Sequence, residues 1–232
     1  LFRQAAISGN AEAEYDLGCA LMDGIAGEKD DYQALRWFRL AGAQGHVKSQ
    51  YRVGYALAHG AGCEIDLQQA ATWLRKAAVN GDPKGQYEFG LLFIHPDYPK
   101  RNEEEAFRWI RLSAIAGFAP AQYQLALFYQ AGEGTLASYE EAFTWARRAA
   151  AQGEEKALLL LASLYRFGAG TAANITAAYA IASYLSGTEN PNAAALLQTL
   201  EPQIAAGDRA RVQKMLSSTK SALELIENIS TL

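Results

Sequence analysis

Apolar and polar residues alternate along the chain with the spacing of helices, and the same arrangement returns every 36 residues. In the first copy, small or apolar side chains stand at Ala13, Leu17, Gly18 and Leu21, which places them on one helical face. This pattern predicts a first helix over residues 11–23. Equivalent sets follow in phase at Ser49, Val53, Gly54 and Leu57, at Gly85, Phe89, Gly90 and Phe93, and at Ala121, Leu125, Ala126 and Tyr129. Such a period is typical of tandem helical repeats.

A second helix is predicted in each period, and it carries the four tryptophans of the chain: Trp37, Trp73, Trp109 and Trp145. Small residues alternate with these large ones, so that helices of neighbouring repeats can interlock. Residues that favour helix N-caps precede each second helix, at Asp30, Asp66, Asn102, Ser138 and Asn174. Three residues later stand Gln33, Gln69, Glu105 and Glu141. These pairs predict capping boxes at four of the five helix starts.

Glycines punctuate the repeats in two ways. One glycine ends each second helix and is expected to adopt a left-handed turn there, at Gly9, Gly45, Gly81, Gly117 and Gly153. Another recurs inside the first helix, at Gly18, Gly54 and Gly90, where it weakens an isolated helix. Its recurrence predicts that a neighbouring helix approaches closely at this position. The third connector, residues 95–101, has prolines in place of glycines, which predicts a stiffer loop.

These features predict an all-α fold, a right-handed α/α superhelix of about five 36-residue helix–turn–helix repeats with a C-terminal capping helix. The expected divisions are residues 1–9 (second-helix remnant of a preceding repeat), 10–45, 46–81, 82–117, 118–153 and 154–189 (repeats), and 190–232 (half repeat and cap). In the last division, Ala193 and Leu197 keep the repeat phase and Pro202 is expected to end that helix. The amphipathic stretch over residues 207–227 is out of phase, and we expect it to cap the array.

The first residue, Leu1, occupies the repeat position of the tryptophans, so the opening residues resemble the second half of a repeat. We expect the chain to be part of a longer protein. A signal sequence that ended nearby is the alternative.

Composition and charge argue against several classes of protein. Half of the 232 residues are apolar, which argues against disorder. A net charge of −4 gives no reason to expect nucleic-acid binding. The longest uncharged stretch, residues 167–188, is interrupted by glycines and hydroxyl residues, so direct membrane insertion is not expected. Cys19 and Cys63 occupy different repeat positions and suggest no disulfide framework.

Residues 121–126, 132–134 and 141–153 (AQYQLA, GEG and EAFTWARRAAAQG) carry a family resemblance. The pattern resembles the Sel-one-like repeat family, a branch of the tetratricopeptide-like α-solenoids found in bacteria. The resemblance implies an adaptor or scaffold role, often in bacterial signalling, cell-envelope assembly or host interaction. We therefore expect a protein or peptide partner, and the periplasm or cell envelope rather than the cytoplasm.

The candidates for chemistry are few. His59 and His95 share one repeat position, but a metal site needs further ligands that the spacing does not supply. Ser217 and Lys220 match the Ser-x-x-Lys form of penicillin-recognising enzymes, whose other two motifs are missing. We predict no catalytic residue, cofactor or metal. A cell-wall or β-lactam-handling enzyme and a structural spacer of a larger envelope protein remain the alternatives to a scaffold.

The remaining candidate is a binding surface on the first helices, which line the concave face in tetratricopeptide-like proteins. Tyrosine gives contact area at low entropic cost, and the cations select acidic groups or a C-terminal carboxylate. The predicted partner-binding residues are Tyr15, Lys48, Tyr51, Arg52, Tyr55, His59, Lys84, Tyr87, Leu91, His95 and Tyr123. The alternative is that the tyrosines pack between repeats and expose only their hydroxyl groups.

Overall fold

The computed structural model describes residues 6–25, 27–188, 190–230 and 232, and these residues form α-helices without a β-strand. The helices are α1 Ala11–Met22, α2 Asp31–Ala43, α3 Val47–His59, α4 Leu67–Val79, α5 Pro83–Leu92, α6 Glu103–Ile115, α7 Ala119–Ala131, α8 Tyr139–Ala151, α9 Glu155–Phe167, α10 Ile175–Ser186, α11 Pro191–Leu200, α12 Ala206–Leu216 and α13 Ala222–Ile229. A 3-10 turn, Glu201–Gln203, follows α11. The predicted all-α repeat fold is confirmed. The expected remnant at residues 1–9 lies mostly outside the described residues.

The chain divides into two units, Leu1–Ala116 and Gly117–Leu232. In the first unit, each helix from α1 to α6 packs against the next one in sequence, and Val53 and Leu74 are fully buried in its core. In the second unit, α7 to α11 pack in the same consecutive order around Leu161 and Ile181, which are also fully buried. Ile181 stands at the repeat position that holds tryptophan in the earlier repeats. The apolar faces predicted from the 36-residue pattern therefore form the core of both units.

The predicted N-caps are confirmed at all five second helices, where a side-chain oxygen accepts the backbone N–H three residues later. The reciprocal half of the capping box is wrong. The backbone N–H of each cap residue donates to a carbonyl near the end of the preceding first helix instead, as in Asp66 to Leu57 at 2.9 Å and Asn174 to Tyr165 at 2.8 Å. The cap residue thus joins the two helices of its repeat. The Glu side chains accept from later residues of their own helix instead, Glu105 from Arg108 at 2.7 Å and Glu141 from Trp145 at 3.1 Å.

Both predictions for the glycines are confirmed. The glycines that end the second helices have positive φ, for example +94° at Gly45 and +83° at Gly81, and nothing lies within 4 Å of a Cβ built there. Inside the first helices, a Cβ on Gly54 would lie 2.5 Å from Leu74 Cγ. The approaching residue is the one after the tryptophan in sequence. Glycine at this position therefore lets the two helices of one repeat come together.

The tryptophans border the core rather than fill it. Trp145 is buried, with 8% of its surface exposed, whereas Trp37, Trp73 and Trp109 are half-buried. A cation on the next turn covers the ring in two repeats, with Lys76 Nζ 4.5 Å from the Trp73 centroid and Arg148 Cζ 4.5 Å from that of Trp145. These cation–π pairs shield the outer face of the ring from water.

The C-terminal tail contains two helices rather than one. The predicted phase of α11 is confirmed, because Ala193 is fully buried, and the helix ends at Leu200 before the turn that contains Pro202. Next, α12 packs on α10, and α13 packs on α8 and α10. Val212 and Leu225 are fully buried in these contacts. The tail therefore lies along the second helices of its unit.

Candidate functional site

Helix α3 presents an aromatic row in the first unit. Tyr51, Tyr55 and His59 follow one another at four-residue spacing, so they lie on one side of the helix. The ring centroids of Tyr51 and Tyr55 are 5.9 Å apart, and those of Tyr55 and His59 are 4.2 Å apart. Tyr51 is half-buried, whereas Tyr55 and His59 are exposed. The row therefore offers a continuous aromatic edge to solvent.

Two cations of α3 connect this row to α1. Lys48 Nζ lies 5.9 Å from the ring centroid of Tyr15, and the Arg52 guanidinium donates to the sulfur of Met22 at 4.0 Å. Arg52 also lies 6.0 Å from the Tyr51 centroid. These contacts hold the side chains of neighbouring repeats in one layer. We call Tyr15, Lys48, Tyr51, Arg52, Tyr55, His59 and Glu88 the first-helix surface.

Glu88 of α5 belongs to this surface, although the sequence did not single it out. Its Oε2 lies 3.2 Å from His59 Nε2, and only 13% of its side chain is exposed. Burial raises the pKa of Glu88, and the hydrogen bond from His59 opposes that rise. Glu88 also stands at the repeat position that holds Arg52 one repeat earlier. The replacement of a positive by a negative side chain at one repeat position is the feature of the sequence that could have identified Glu88.

Four tyrosines recur at one position of the first helices, and we call them the ladder tyrosines. The sequence left open whether they line a binding surface or pack between repeats, and the structure places them between these two arrangements. Tyr15, Tyr51, Tyr87 and Tyr123 are each half-buried. Tyr15 packs against Phe38 and His46, with ring centroids 5.7 and 4.7 Å away. Burial, together with the charge of Glu88, raises the pKa of Tyr51 to about 12. Tyr55, which lies one turn after Tyr51 on α3 and outside this set, is exposed.

The other predicted partner-binding residues are dispersed. Lys84 is exposed in the first turn of α5, and Leu91 is half-buried on the same helix. His95 lies in the connector, where its Nδ1 accepts the backbone N–H of Asp97 at 3.2 Å. Tyr123 belongs to α7 in the second unit, where it packs against that unit's core. A binding role for any of these residues stays a prediction.

The buried carboxyl of Glu88 predicts a pH effect on stability. Its folded pKa lies above the ordinary value, so its contribution to stability is fully present below the unfolded pKa and is lost as pH rises through the folded pKa. Glu88→Gln removes this titration. We expect the free energy of unfolding of the variant to rise relative to that of the wild type as the pH increases above about 4, because the wild type then loses the contribution of its protonated carboxyl.

Urea denaturation at several pH values measures this difference. Glu103→Gln is the matched control, because Glu103 is an exposed residue of α6, and it should leave the wild-type profile in place. An equal stability difference at every pH would contradict the assignment of Glu88.

The remaining chemical candidates have simple surroundings. Ser217 is exposed, and its hydroxyl donates to the carbonyl of Lys214 at 2.7 Å. The backbone N–H of Lys220 donates to Glu224 at 2.7 Å. Within residues 6–25, 27–188, 190–230 and 232, no three His, Cys, Asp or Glu side chains are grouped as a metal site would need. In the same residues, no helix has the length and apolar character to cross a bilayer.

Solved bacterial structures resemble this chain. A protective antigen present in uropathogenic Escherichia coli strains, which displays an SLR fold, is 27% identical, with a TM-score of 0.89 over 100% of this chain and 50% of the antigen. The chain thus spans half the length of that protein. A Sel1 repeat protein from Oxalobacter formigenes is also 27% identical, with a TM-score of 0.68 over 76% of this chain and 72% of that one.

Sequence comparison with curated proteins gives no significant match. The family model described as Sel1 repeat, in contrast, matches five consecutive segments, residues 11–46, 47–82, 83–118, 119–154 and 155–183. These segments contain the helix pairs from α1 and α2 to α9 and α10, except for the last three residues of α10, which ends at Ser186. The chain therefore belongs to the Sel1 repeat family.

Proposed function

We propose that this chain is a non-enzymatic scaffold that binds a peptide or protein segment along its first-helix surface. Sel1 repeat proteins are generally protein-interaction scaffolds rather than enzymes. The observation that carries the finer assignment is the aromatic row of Tyr51, Tyr55 and His59, with centroid spacings of 5.9 and 4.2 Å. Such a row supplies a pre-organised contact area with polar tips.

The charges of this surface favour an acidic partner. Lys48 is exposed on this surface, and Arg52 is half-buried beside Tyr51. Lys84, which is outside the surface as defined but on the first helix of the next repeat, is also exposed. Glu88 already accepts from His59 and is largely withdrawn from solvent. An extended segment with an apolar or aromatic side chain on Tyr55 and carboxylates near the lysines would therefore meet complementary charge. The carboxylates would come from Asp, Glu or a C-terminus, which cationic side chains recognise.

A peptide-display experiment tests this proposal. Phage-displayed random peptides are selected on the wild-type chain, and the affinities of the enriched peptides are then measured by calorimetry. The triple variant Lys48→Ala, Tyr55→Ala and Lys84→Ala removes exposed side chains only, so it is expected to fold. We expect it to lose about tenfold or more in affinity, since tyrosine and cationic anchors dominate binding energies. Enriched peptides should carry acidic residues.

The matched control is the double variant Lys29→Ala and Tyr32→Ala, whose side chains are 64% and 61% exposed in the same unit and do not belong to the first-helix surface. It should keep wild-type affinity. Equal losses in both variants, or none in the triple variant, would place the binding surface elsewhere.

A further inference from the structure

An open groove lies beside α4, which is a second helix, whereas the first-helix surface is formed by first helices. Its volume is about 840 Å³. The α4 side contributes Ala71, Thr72, Arg75, Lys76 and Val79, and the opposite side is formed by the end of α5 and the third connector. Val79 is 66% exposed, although it is apolar. We call this space the α4 groove.

The third connector gives the α4 groove its aromatic wall. Tyr98 of that connector is buried, with 7% exposure, and meets Phe93 edge-to-face with centroids 5.8 Å apart. Phe93 meets Phe89 in the same way at 5.1 Å. All three rings line the groove, and Lys100 lies beside them. The connector that replaces glycines with His-Pro-Asp-Tyr-Pro thus closes a groove on one side.

The charged side chains that line the α4 groove are all positive. Arg75, Lys76 and Lys100 line it, and no residue that lines it within the described chain is acidic. The protein as a whole has a net charge of −4. A cationic groove with an apolar wall on an acidic protein favours a ligand that is both apolar and negatively charged.

A second groove, on α8, has the same repeat positions in one wall and is covered by a helix of this chain. Two repeats later, the same positions of α8 are Phe143, Thr144, Arg147, Arg148 and Ala151, and they line a second groove of about 420 Å³. The other wall of that groove is α13, through Leu223, Ile226 and Glu227. The Arg147 guanidinium donates to the Ser230 hydroxyl at 3.0 Å. An amphipathic helix with an acidic residue is therefore seated on the α8 face.

The two faces share their polar positions, although Ala71 corresponds to Phe143 and Val79 to Ala151. Thr72 corresponds to Thr144, Arg75 to Arg147, and in both repeats the next residue is a cation above the tryptophan ring at 4.5 Å. Both helices pack against their sequence neighbours, but α8 also packs against α13, whereas α4 has contacts of this extent only with α3 and α5. Thr72 and Arg75 are exposed, as are Thr144 and Arg147. The α4 face thus carries the same recognition residues as α8 and lacks a helix of this unit upon it.

We propose that the α4 groove docks an acidic amphipathic helix of a partner protein, in the way that α8 holds α13. The partner's apolar residues would pack on Val79 and the aromatic wall, and its carboxylates would pair with Arg75 and Lys100. Helix-in-groove recognition of this kind uses anchors at three- and four-residue spacing. This surface is separate from the first-helix surface, so each of the two proposals can fail alone.

A titration followed by nuclear magnetic resonance tests the docking site and also locates it. The probe is an acetylated, amidated peptide with the sequence of residues 221–230, which contains Glu224 and Glu227. It is added to the isotope-labelled full chain. We expect saturable shifts of the backbone amides of Arg75, Val79 and Phe93. Arg75→Glu should weaken binding about fivefold or more, because it places like charges together.

Arg111→Glu is the matched control, since Arg111 is an exposed arginine at the same repeat position on α6 and does not line the α4 groove. It should leave the affinity unchanged. A peptide with Glu227→Lys should bind the Arg75→Glu chain better than the original peptide does. Shifts confined to α8, or equal affinities for the Arg75→Glu and Arg111→Glu chains, would overturn the proposal, as would the absence of shifts at α4. The triple variant Lys48→Ala, Tyr55→Ala and Lys84→Ala should bind this peptide normally.

Discussion

Gly54→Ala is expected to lower the free energy of unfolding by about 1 to 3 kcal/mol, as overpacking of a well-packed core does. Alanine ordinarily stabilises a helix interior relative to glycine by about 1 kcal/mol. Here the added methyl group would lie 2.5 Å from Leu74 Cγ and 3.0 Å from the Leu74 backbone nitrogen. Leu74 is fully buried and cannot move aside. The packing cost therefore exceeds the gain in helix propensity.

Gly207→Ala is the matched control for this experiment. Gly207 is the second residue of a helix, α12, and nothing is within 4 Å of a Cβ built there. This variant should gain a few tenths of a kcal/mol from helix propensity, less than the roughly 1 kcal/mol of a helix interior. Urea denaturation followed by circular dichroism measures both changes. Stabilisation by Gly54→Ala of the same size as by Gly207→Ala would mean that the two helices of the repeat are not in close contact.

Leu74→Ala should have the larger effect, a loss of about 2 to 5 kcal/mol in the free energy of unfolding. Leu74 has 0% exposure and lies between the two helices of its repeat, so its removal leaves a cavity beside Gly54. Leu112→Ala is the comparison, since Leu112 is an apolar second-helix residue with 46% exposure. It should change stability by about 0.5 kcal/mol or less.

The double variant Gly54→Ala and Leu74→Ala adds a check on the geometry. The alanine methyl at residue 54 would occupy part of the space that Leu74 vacates. We therefore expect the double variant to be more stable than the sum of the two single losses allows, with a coupling of about 0.5 to 3 kcal/mol. Strict additivity would show that the two positions are not in contact.

Several features of the fold were predictable because they are local or periodic. A helix N-cap depends on a side chain three residues from the N–H it accepts, so Asp66 and Asn174 could be assigned from spacing alone. The glycine turns after the second helices follow from φ at a single residue. Even the close approach at Gly54 was predictable, because the period repeated it at Gly18 and Gly90.

Contacts between repeats were less predictable, because they depend on which atoms meet when helices of different repeats pack together. Gln50 and Gln86 are examples, since each is a buried residue whose amide donates to the carbonyl at the end of the preceding second helix, at 3.2 Å. The partner of Glu88 was hidden for the same reason. Its hydrogen bond to His59 joins two first helices, and only their packing brings the two side chains together.

The sequence by itself determined the repeat, its helices, its caps and its glycine turns, since all of these follow from residue type at fixed spacing. Tertiary structure alone decided where the capping N–H groups donate, how far the ladder tyrosines are buried, and where the tail lies. It also decided that α13 covers α8 while the matching face of α4 stays open. The two faces share the threonine and arginine positions of the repeat, and the non-repeating tail, which no period encodes, packs on α8.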